Sequence, residues 1–172
     1  MKADKAFANM IAARVACNED AEDVVRILVQ SITKLCVADH QNDAATLQEW
    51  LANKTVIQFL ELLASTENFC VVAEFERRVA GVGLINRRGE VELCYVGPED
   101  QHRGCGTAIL RALETQARAW GLEKVHLAST VSARTFYERS GYSVAGHAKP
   151  GFGSSWCYPY EKVVASWCPA QT

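Results

Sequence analysis

The hydrophobic residues in the first part of the chain recur mostly at helical spacing. A short apolar segment at 10–16 predicts a first strand, and Asn18 is placed to cap the helix that follows. The apolar face of that helix consists of Val24, Leu28, Ile32 and Leu35. Residues 38–43 are polar and indicate a loop, a second helical stripe begins at Leu47, and a capping box that starts at Thr55 opens a third helix. This part of the chain is therefore predicted to form one strand and three helices.

The rest of the chain alternates strands with helices. Strands are predicted at 69–75, 79–85 and 90–96, and the short polar turns between them indicate an antiparallel meander. Helical spacing then continues to Trp120, and Gly121 ends that helix. The remaining predicted elements are a strand at 125–129, a short helix at 132–140, a strand at 142–145 and a last strand within 156–164. The order predicts one domain spanning all 172 residues, with a mixed α/β sheet and helices on both faces.

Composition and charge narrow the class of protein only slightly. Hydrophobic residues make up 49% of the chain and charged residues 22%, which is ordinary for a globular protein and argues against disorder. The net charge of −2 gives no general attraction to nucleic acid or to an anionic membrane. The seven cysteines are odd in number and form no C-x-x-C pair. We therefore expect reduced thiols in a cytoplasmic protein, with no metal site, no signal peptide and no membrane span.

A glycine-rich segment follows the strand at 90–96. Gly104 and Gly106 permit a tight turn in which backbone N–H groups converge, and the next helix adds the positive end of its dipole. Such a turn can bind an anion such as phosphate. A Walker loop would need a lysine after the second glycine, and a dinucleotide fingerprint would need a third glycine where this chain has Ile109. Neither pattern fits, and a plain glycine turn between a strand and a helix is the structural alternative.

Two motifs in this order resemble the GCN5-related N-acetyltransferase (GNAT) superfamily. The first is Gln101-x-x-Gly104-x-Gly106, and the second is Ala-Arg-Thr-Phe-Tyr-Glu-Arg-Ser-Gly-Tyr at 133–142. The resemblance covers 71–144, the region that would form the coenzyme-binding core. It implies a mixed, mostly antiparallel sheet of about six to seven strands, in which two strands splay apart to form an acetyl-CoA cleft. The motifs say little about the acetyl acceptor.

The resemblance also implies which residues bind acetyl-CoA. The pantetheine arm would pair with the backbone near Val96, as an added strand pairs with a sheet edge, and the pyrophosphate would lie on the N–H groups of the glycine turn. The expected contacts are Cys94, Tyr95, Val96, Gln101, His102, Arg103, Gly104, Cys105, Gly106, Thr107 and Ser132. Arg103 could equally be solvated. Ser132 stands where many relatives have an asparagine, and this difference weakens one expected contact.

Acetyl transfer to an amine requires a proton donor for the departing thiolate and an amine that arrives unprotonated. Tyr137 lies where the family places its general acid, and a phenol with an ordinary pKa of about 10 is protonated at neutral pH. Glu90 and Glu92 are the candidate bases, because strict alternation puts them on the face of Cys94 and Val96. A water chain could relay the proton instead. The structural alternatives are a packed aromatic for Tyr137 and solvated carboxylates for the two glutamates.

The acceptor pocket of this superfamily is usually formed by the first two helices and the loop between the last two strands. In this chain those regions contain Asp39, His40, Asp43, Trp50, Phe152 and Trp156. Carboxylates and aromatic rings would suit a cationic amine. The same residues would also suit an ordinary surface and core.

The leading hypothesis is therefore an acetyl-CoA-dependent N-acetyltransferase that uses no metal. Its acceptor would be a primary amine of a small molecule or peptide, which attacks directly in a ternary complex. One alternative is a noncatalytic acyl-CoA-binding or partner-binding module with the same fold, and another is a nucleotide-binding α/β domain. Exposed edge strands are compatible with a homodimer.

Overall fold

An eight-stranded sheet forms the centre of the computed structural model, which describes residues 11–164. Its strands are β1 (Ala12–Val15), β2 (Asn68–Phe75), β3 (Arg78–Asn86), β4 (Glu90–Val96), β5 (Lys124–Ser129), β6 (Ser143–Val144), β7 (Lys149–Pro150) and β8 (Trp156–Val163). The order is β1-β2-β3-β4-β5-β8-β6, and β7 pairs with β8. Only β4 and β5 pair in parallel. The mixed, mostly antiparallel sheet is confirmed, and β7 is the strand that the sequence pattern did not predict.

Six helices accompany the sheet within the described residues. They are α1 (Ala21–Leu35), α2 (Val37–His40), α3 (Ala44–Leu51), α4 (Val56–Ala64), α5 (Cys105–Ala119) and α6 (Arg134–Arg139). The Thr55 hydroxyl accepts the Gln58 N–H, as the capping box predicts, and the Asp43 carboxylate caps α3. None of these helices is long and apolar enough to cross a membrane.

Two sequence predictions for the first part of the chain are wrong. The segment at 38–43 is not entirely a loop, because α2 forms there around the fully buried ring of His40. Asn18 does not cap α1, since a 3-10 turn at Asn18–Asp20 precedes that helix. The Asp20 carboxylate accepts the Cys17 N–H at 2.8 Å and pairs with both terminal nitrogens of Arg14.

Two hydrophobic cores cover opposite faces of the sheet, as predicted. On one face, α5 packs Ile109 and Leu113, both fully buried, against β2 and β3. On the other face, α1 and α4 pack against the alternate residues of the same strands. The contact of α5 with β3 is close, because a Cβ atom at Gly83 would lie 2.2 Å from Cγ2 of Ile109. A side chain at that position would push the helix away from the sheet.

The sheet opens between β4 and β5. These parallel strands are paired only where Glu90 faces His126 and Val91 faces Leu127. Beyond those residues β5 continues along β8, while β4 has no partner on its β5 side within the described part of the chain. The splayed strands predicted from the family resemblance are therefore present.

A bulge in β4 changes which face its side chains occupy. Leu84 of β3 pairs with Leu93 and the next residue, Ile85, pairs with Val91, so Glu92 is an extra residue in β4. Val91 consequently packs in the same core as Cys94 and Val96. Strict alternation across β4, which the sequence prediction assumed, ends at this bulge. The predicted common face of Glu90 and Cys94 is wrong, because Glu90 precedes the extra residue.

Candidate active site

A cavity of about 1000 Å³ lies between the separated ends of β4 and β5. One wall is formed by β4, the glycine turn and the start of α5, and a second by the segment from Thr130 through α6. Ser31 and Leu35 of α1, with Cys36, also line the cavity. All of the coenzyme-binding and catalytic residues predicted from the sequence line this cavity except Glu90 and Arg103. The cavity has thus brought together predicted site residues as far apart in the chain as Glu92 and Tyr137.

The glycine turn presents free backbone donors to the cavity. Gly104, at the N-terminal cap of α5, has a φ of 95°, a left-handed conformation that favours glycine. The Ala108 N–H donates to the Gly104 carbonyl at 3.0 Å, so the preceding N–H groups, including those of Cys105 and Thr107, have no acceptor within the helix. All of these residues line the cavity. The start of α5 is therefore suited to bind an anionic group.

Gly106 is required for a different reason. A Cβ atom at this position would lie 2.9 Å from Cζ of Phe136, which belongs to α6 on the opposite wall. The absence of a side chain lets the start of α5 approach α6 closely. Gly104 therefore permits a left-handed backbone conformation, whereas Gly106 permits close contact between α5 and α6.

The two charged residues beside this turn are engaged with the protein. Asp100, which is 2% exposed, accepts two hydrogen bonds from the Arg78 guanidinium at 2.6 and 2.7 Å. This pairing offsets the negative charge next to the glycine turn. The Arg103 guanidinium lies 4.7 Å from the centre of the Phe75 ring, and its Nε donates to the Glu99 carbonyl. The structure thus directs Arg103 away from the cavity.

Basic side chains elsewhere on the cavity wall were not identified from the sequence. Arg111 and Arg139 line the cavity, and neither forms an ion pair with any of residues 11–164. Arg118 also lines it but lies 3.6 Å from the buried carboxylate of Glu114. Arg111 and Arg118 are seven residues apart on α5. A spacing of seven residues is two helical turns, so the sequence already indicated that both arginines lie on one face of the helix that follows the glycine turn.

Tyr137 is almost completely buried, with 7% of its surface exposed, and it lines the cavity from α6. Its ring packs against Tyr142, with the two ring centres 5.8 Å apart. Burial, reinforced by the neighbouring Cys94, raises the pKa of Tyr137 well above its ordinary value. The phenol therefore keeps its proton throughout the physiological pH range and can act as a donor.

Cys94 lines the cavity near Tyr137. Burial raises the pKa of the Cys94 thiol to about 12. The thiolate, which is the nucleophilic form of cysteine, is therefore scarce at neutral pH. This arrangement does not favour a covalent acetyl-cysteine intermediate.

The two glutamates of β4 occupy different positions. The Asn86 side-chain amide donates to Glu92 at 2.7 Å and to Glu90 at 3.3 Å. Glu90 also lies 3.5 Å from the Arg88 guanidinium and does not line the cavity. Glu92, at the bulge, lines both the large cavity and a second cavity of about 260 Å³. Of the two glutamates, only Glu92 therefore lines a cavity.

Asp39 fixes the loop that leads into α6. Its carboxylate accepts hydrogen bonds from the Val131 N–H at 2.6 Å and from the Ser132 N–H and hydroxyl at 3.3 and 2.5 Å. Ser132 lines the cavity, but its hydroxyl is committed to Asp39. Asp39 therefore stabilises this wall of the cavity, and its carboxylate is not free for the predicted role of binding an acceptor amine.

Most of the residues predicted for the acceptor pocket have structural roles. Both ring nitrogens of His40 are used, because Nδ1 accepts the Asn42 N–H and Nε2 lies 3.1 Å from the Ile32 carbonyl. The Asp43 carboxylate caps α3, and the Trp50 ring stacks on Phe152. Trp156 lines neither cavity.

Only Phe152 of that predicted set lines the second cavity. It is joined there by Lys54, Glu92 and Tyr95. Lys54 was not predicted as a site residue. It lies between two helices, immediately before the capping box, and no sequence motif singles it out.

The sheet and its helices make this a mixed α/β protein. The open sheet, together with the free amides at the start of α5 and the buried phenol of Tyr137, forms a cleft suited to an extended anionic ligand. A family model described as "Acetyltransferase (GNAT) domain" matches residues 26–163. The chain therefore belongs to the GNAT acetyltransferase family. A comparison with curated proteins gave no match.

Solved acetyltransferase structures share this fold. The GCN5-related N-acetyltransferase from Rhodopseudomonas palustris is 23% identical, with a TM-score of 0.79 over 91% of this chain and 97% of that one. PaiA N-acetyltransferase from Thermoplasma acidophilum, in complex with coenzyme A, is 19% identical, with a TM-score of 0.72 over 90% and 99%. Spermidine N-acetyltransferase from Vibrio cholerae, in complex with CoA and spermine, is 18% identical, with a TM-score of 0.66 over 91% and 96%.

Proposed function

We propose that the protein is an acetyl-CoA-dependent N-acetyltransferase whose acceptor is a primary amine of a small molecule or peptide. One observation carries the proposal. The separation of β4 from β5 after Val91 places an unpaired strand edge, free helix amides and a buried phenol around a single cavity. Relatives crystallised with coenzyme A, and one with spermine, support a coenzyme A ligand and an amine acceptor.

The cavity suits the successive parts of acetyl-CoA. The amides of the pantetheine arm would pair with the open edge of β4 between Cys94 and Val96, which lacks a neighbouring strand. The pyrophosphate would accept hydrogen bonds from the amides at the start of α5. Arg111 and Arg139 add positive charge for the phosphate groups.

The proposed transfer is a direct one. The amine nitrogen attacks the thioester carbonyl carbon, and the resulting oxyanion is stabilised by a backbone N–H of β4. The carbon–sulfur bond then breaks, and the coenzyme thiolate takes a proton from the Tyr137 hydroxyl. The nitrogen loses a proton to Glu92, directly or through water. Glu92 then releases this proton to solvent, and Tyr137 recovers a proton from solvent. The products are the N-acetylated amine and free coenzyme A.

Ligand-dependent melting tests the coenzyme assignment. A ligand that binds only the native state raises the melting temperature by mass action. We expect acetyl-CoA and CoA, each at saturating concentration, to raise the melting temperature, and ATP and NAD at the same concentrations to leave it unchanged. A rise with ATP or NAD alone would contradict the assignment and would favour a nucleotide-binding domain.

Thiol release with an amine panel then separates an enzyme from a noncatalytic module. The proposed enzyme releases free coenzyme A when acetyl-CoA and a suitable primary amine are both present. Stabilisation by acetyl-CoA without amine-dependent thiol release across small amines and peptides would instead support the noncatalytic acyl-CoA-binding alternative.

A further inference from the structure

The second cavity adjoins the large cavity at β4, and both are bordered by α1. Glu92 and Tyr95 line both cavities, so this part of β4 forms the wall between them. The remaining wall comes from α1, from α4 and the segment before it, and from the loop that carries Phe152. A group bound in the second cavity would therefore reach the reacting thioester past Glu92.

Lys54 is the cation of this cavity. It is half-buried, its ammonium lies 5.6 Å from the centre of the Phe152 ring, and it donates a hydrogen bond to the neutral side chain of Asn53. Among residues 11–164, no carboxylate lies within ion-pair distance of it. Burial lowers the pKa of Lys54, and no neighbouring negative charge opposes this effect. The ammonium is thus partly desolvated without a counter-charge.

Carboxylates that would attract a cationic acceptor are used elsewhere. Asp39 holds the loop before α6, Asp43 caps α3, and the carboxylate of Glu49 accepts the Gly153 N–H. Among the residues that the structure describes, Glu92 is the only carboxylate that lines the second cavity. The cavity therefore presents one ammonium and one carboxylate that do not pair with each other.

We propose that the acceptor carries a carboxylate as well as the reacting amine, and that Lys54 binds the carboxylate while the amine lies toward Glu92. The inference rests on the proposed acetyltransferase function and names the substrate class of that site. A carboxylate supplies the counter-charge that Lys54 lacks, and a charge-assisted hydrogen bond in a partly desolvated site is stronger than one in water. A polyamine would instead place a second cation beside Lys54 in a cavity of about 260 Å³.

Matched acceptors test the inference by thiol release. The panel compares α- and ω-amino carboxylates with the primary carboxamide and the diamine of the same chain length. We expect kcat/KM for the preferred carboxylate to exceed that of its carboxamide by about tenfold or more, because only the carboxylate pairs with Lys54. Equal or faster acetylation of the carboxamides and diamines would overturn the inference and leave the acetyltransferase assignment intact.

Lys54→Gln isolates the charge of this one residue. It should lower kcat/KM for carboxylate acceptors about tenfold, leave carboxamides within about twofold, and leave the affinity for acetyl-CoA unchanged. Lys34→Gln removes an equivalent charge from the exposed side of α1 and should change none of these values. A loss that is the same for all three acceptor types would assign Lys54 a structural role and contradict the proposal.

A binding measurement keeps the inference testable if no amine is turned over. With the protein saturated with CoA, N-acetylated amino carboxylates should raise the melting temperature of the wild type and not that of Lys54→Gln. The matched N-acetylated carboxamides should raise neither. Equal responses to the two ligands, or none to either, would overturn the inference, whereas the absence of thiol release alone would count against the proposed enzyme.

Discussion

Burial decides the ionisation state of the groups around the proposed thioester site. Tyr137 and Cys94 are both kept protonated because removing either proton would leave a charge in a poorly solvated place. A phenol in this state can give a proton to a leaving thiolate, while a thiol in this state is a poor nucleophile. The same environment thus favours one role for Tyr137 and disfavours another for Cys94.

Tyr137→Phe should lower kcat by about 100-fold, because it removes the donor that the leaving thiolate requires and keeps the ring packing. The Kd of acetyl-CoA, measured by titration, should change by less than about threefold, since the hydroxyl contributes mainly in the transition state.

Tyr142→Phe provides the matched control. It also removes a buried hydroxyl, which donates to Glu114 at 3.2 Å, but Tyr142 does not line the cavity. Its kcat should stay within about threefold of the wild-type value if the variant folds normally. Equal losses in the two variants would remove Tyr137 from the mechanism.

At the scale of helices and strands, close packing of α5 on β3 positions the glycine turn. Ile109 lies above Gly83, and a Cβ atom at Gly81 would lie 2.9 Å from Cδ1 of the same isoleucine. The helix can approach the sheet because β3 has glycine at both positions. Since the amides proposed to bind the pyrophosphate are at the start of α5, this contact also sets their distance from β4.

Gly83→Ala should destabilise the protein by about 1–3 kcal/mol, because the added methyl group overpacks the α5 contact. For a domain of this size, that loss corresponds to about 2–12 °C in melting temperature, measurable by calorimetry. The control is Gly146→Ala at an exposed site, where a Cβ would lie 3.3 Å from the Pro159 ring. Gly83→Ala should lower the melting temperature more than Gly146→Ala does. Equal changes in melting temperature would show that α5 accommodates the added methyl group at Gly83 without extra cost.

The order and type of most elements could be predicted from the sequence, except α2 and β7, and the detailed register of the strands could not. The meander at β2–β4 follows from alternating apolar residues and polar turns, which are local features. The bulge at Glu92 depends on how β4 pairs with β3, and it leaves no mark in the alternation of the strand itself. Glu90 was for this reason placed on the wrong face.

At the scale of the whole molecule, several free thiols lie within the packed interior. Cys36 and Cys70 are 6% and 5% exposed. Burial raises the pKa of each thiol to about 12 from an ordinary value of 9.0. Their protonated forms are therefore favoured by folding.

Stability should consequently fall as the pH rises above about 9. Above that pH the unfolded chain releases thiol protons that the folded protein retains, so the unfolded state binds fewer protons. Each such thiol contributes a slope that approaches about −1.4 kcal/mol per pH unit in the free energy of unfolding. Urea denaturation between pH 8 and about 10, below the ordinary tyrosine pKa, measures this slope.

Cys70→Ala provides the control for the alkaline slope. The variant loses stability at every pH from the cavity it creates, but the pH dependence above about 9 should become shallower by up to the contribution of one thiol. An identical slope in the variant and the wild type would show that ionisation of Cys70 does not contribute.

The sequence by itself determined most of the succession of helices and strands, the glycine turn and the Tyr137 motif, because these depend on local spacing and backbone preference. Only the tertiary structure decided that Asp39 is committed to a loop 92 residues away and that Glu92 separates two cavities. It also decided that Lys54 lies in one of those cavities without a carboxylate partner among the described residues. Such roles depend on neighbours brought together by the opening of the sheet, and one-dimensional spacing does not contain them.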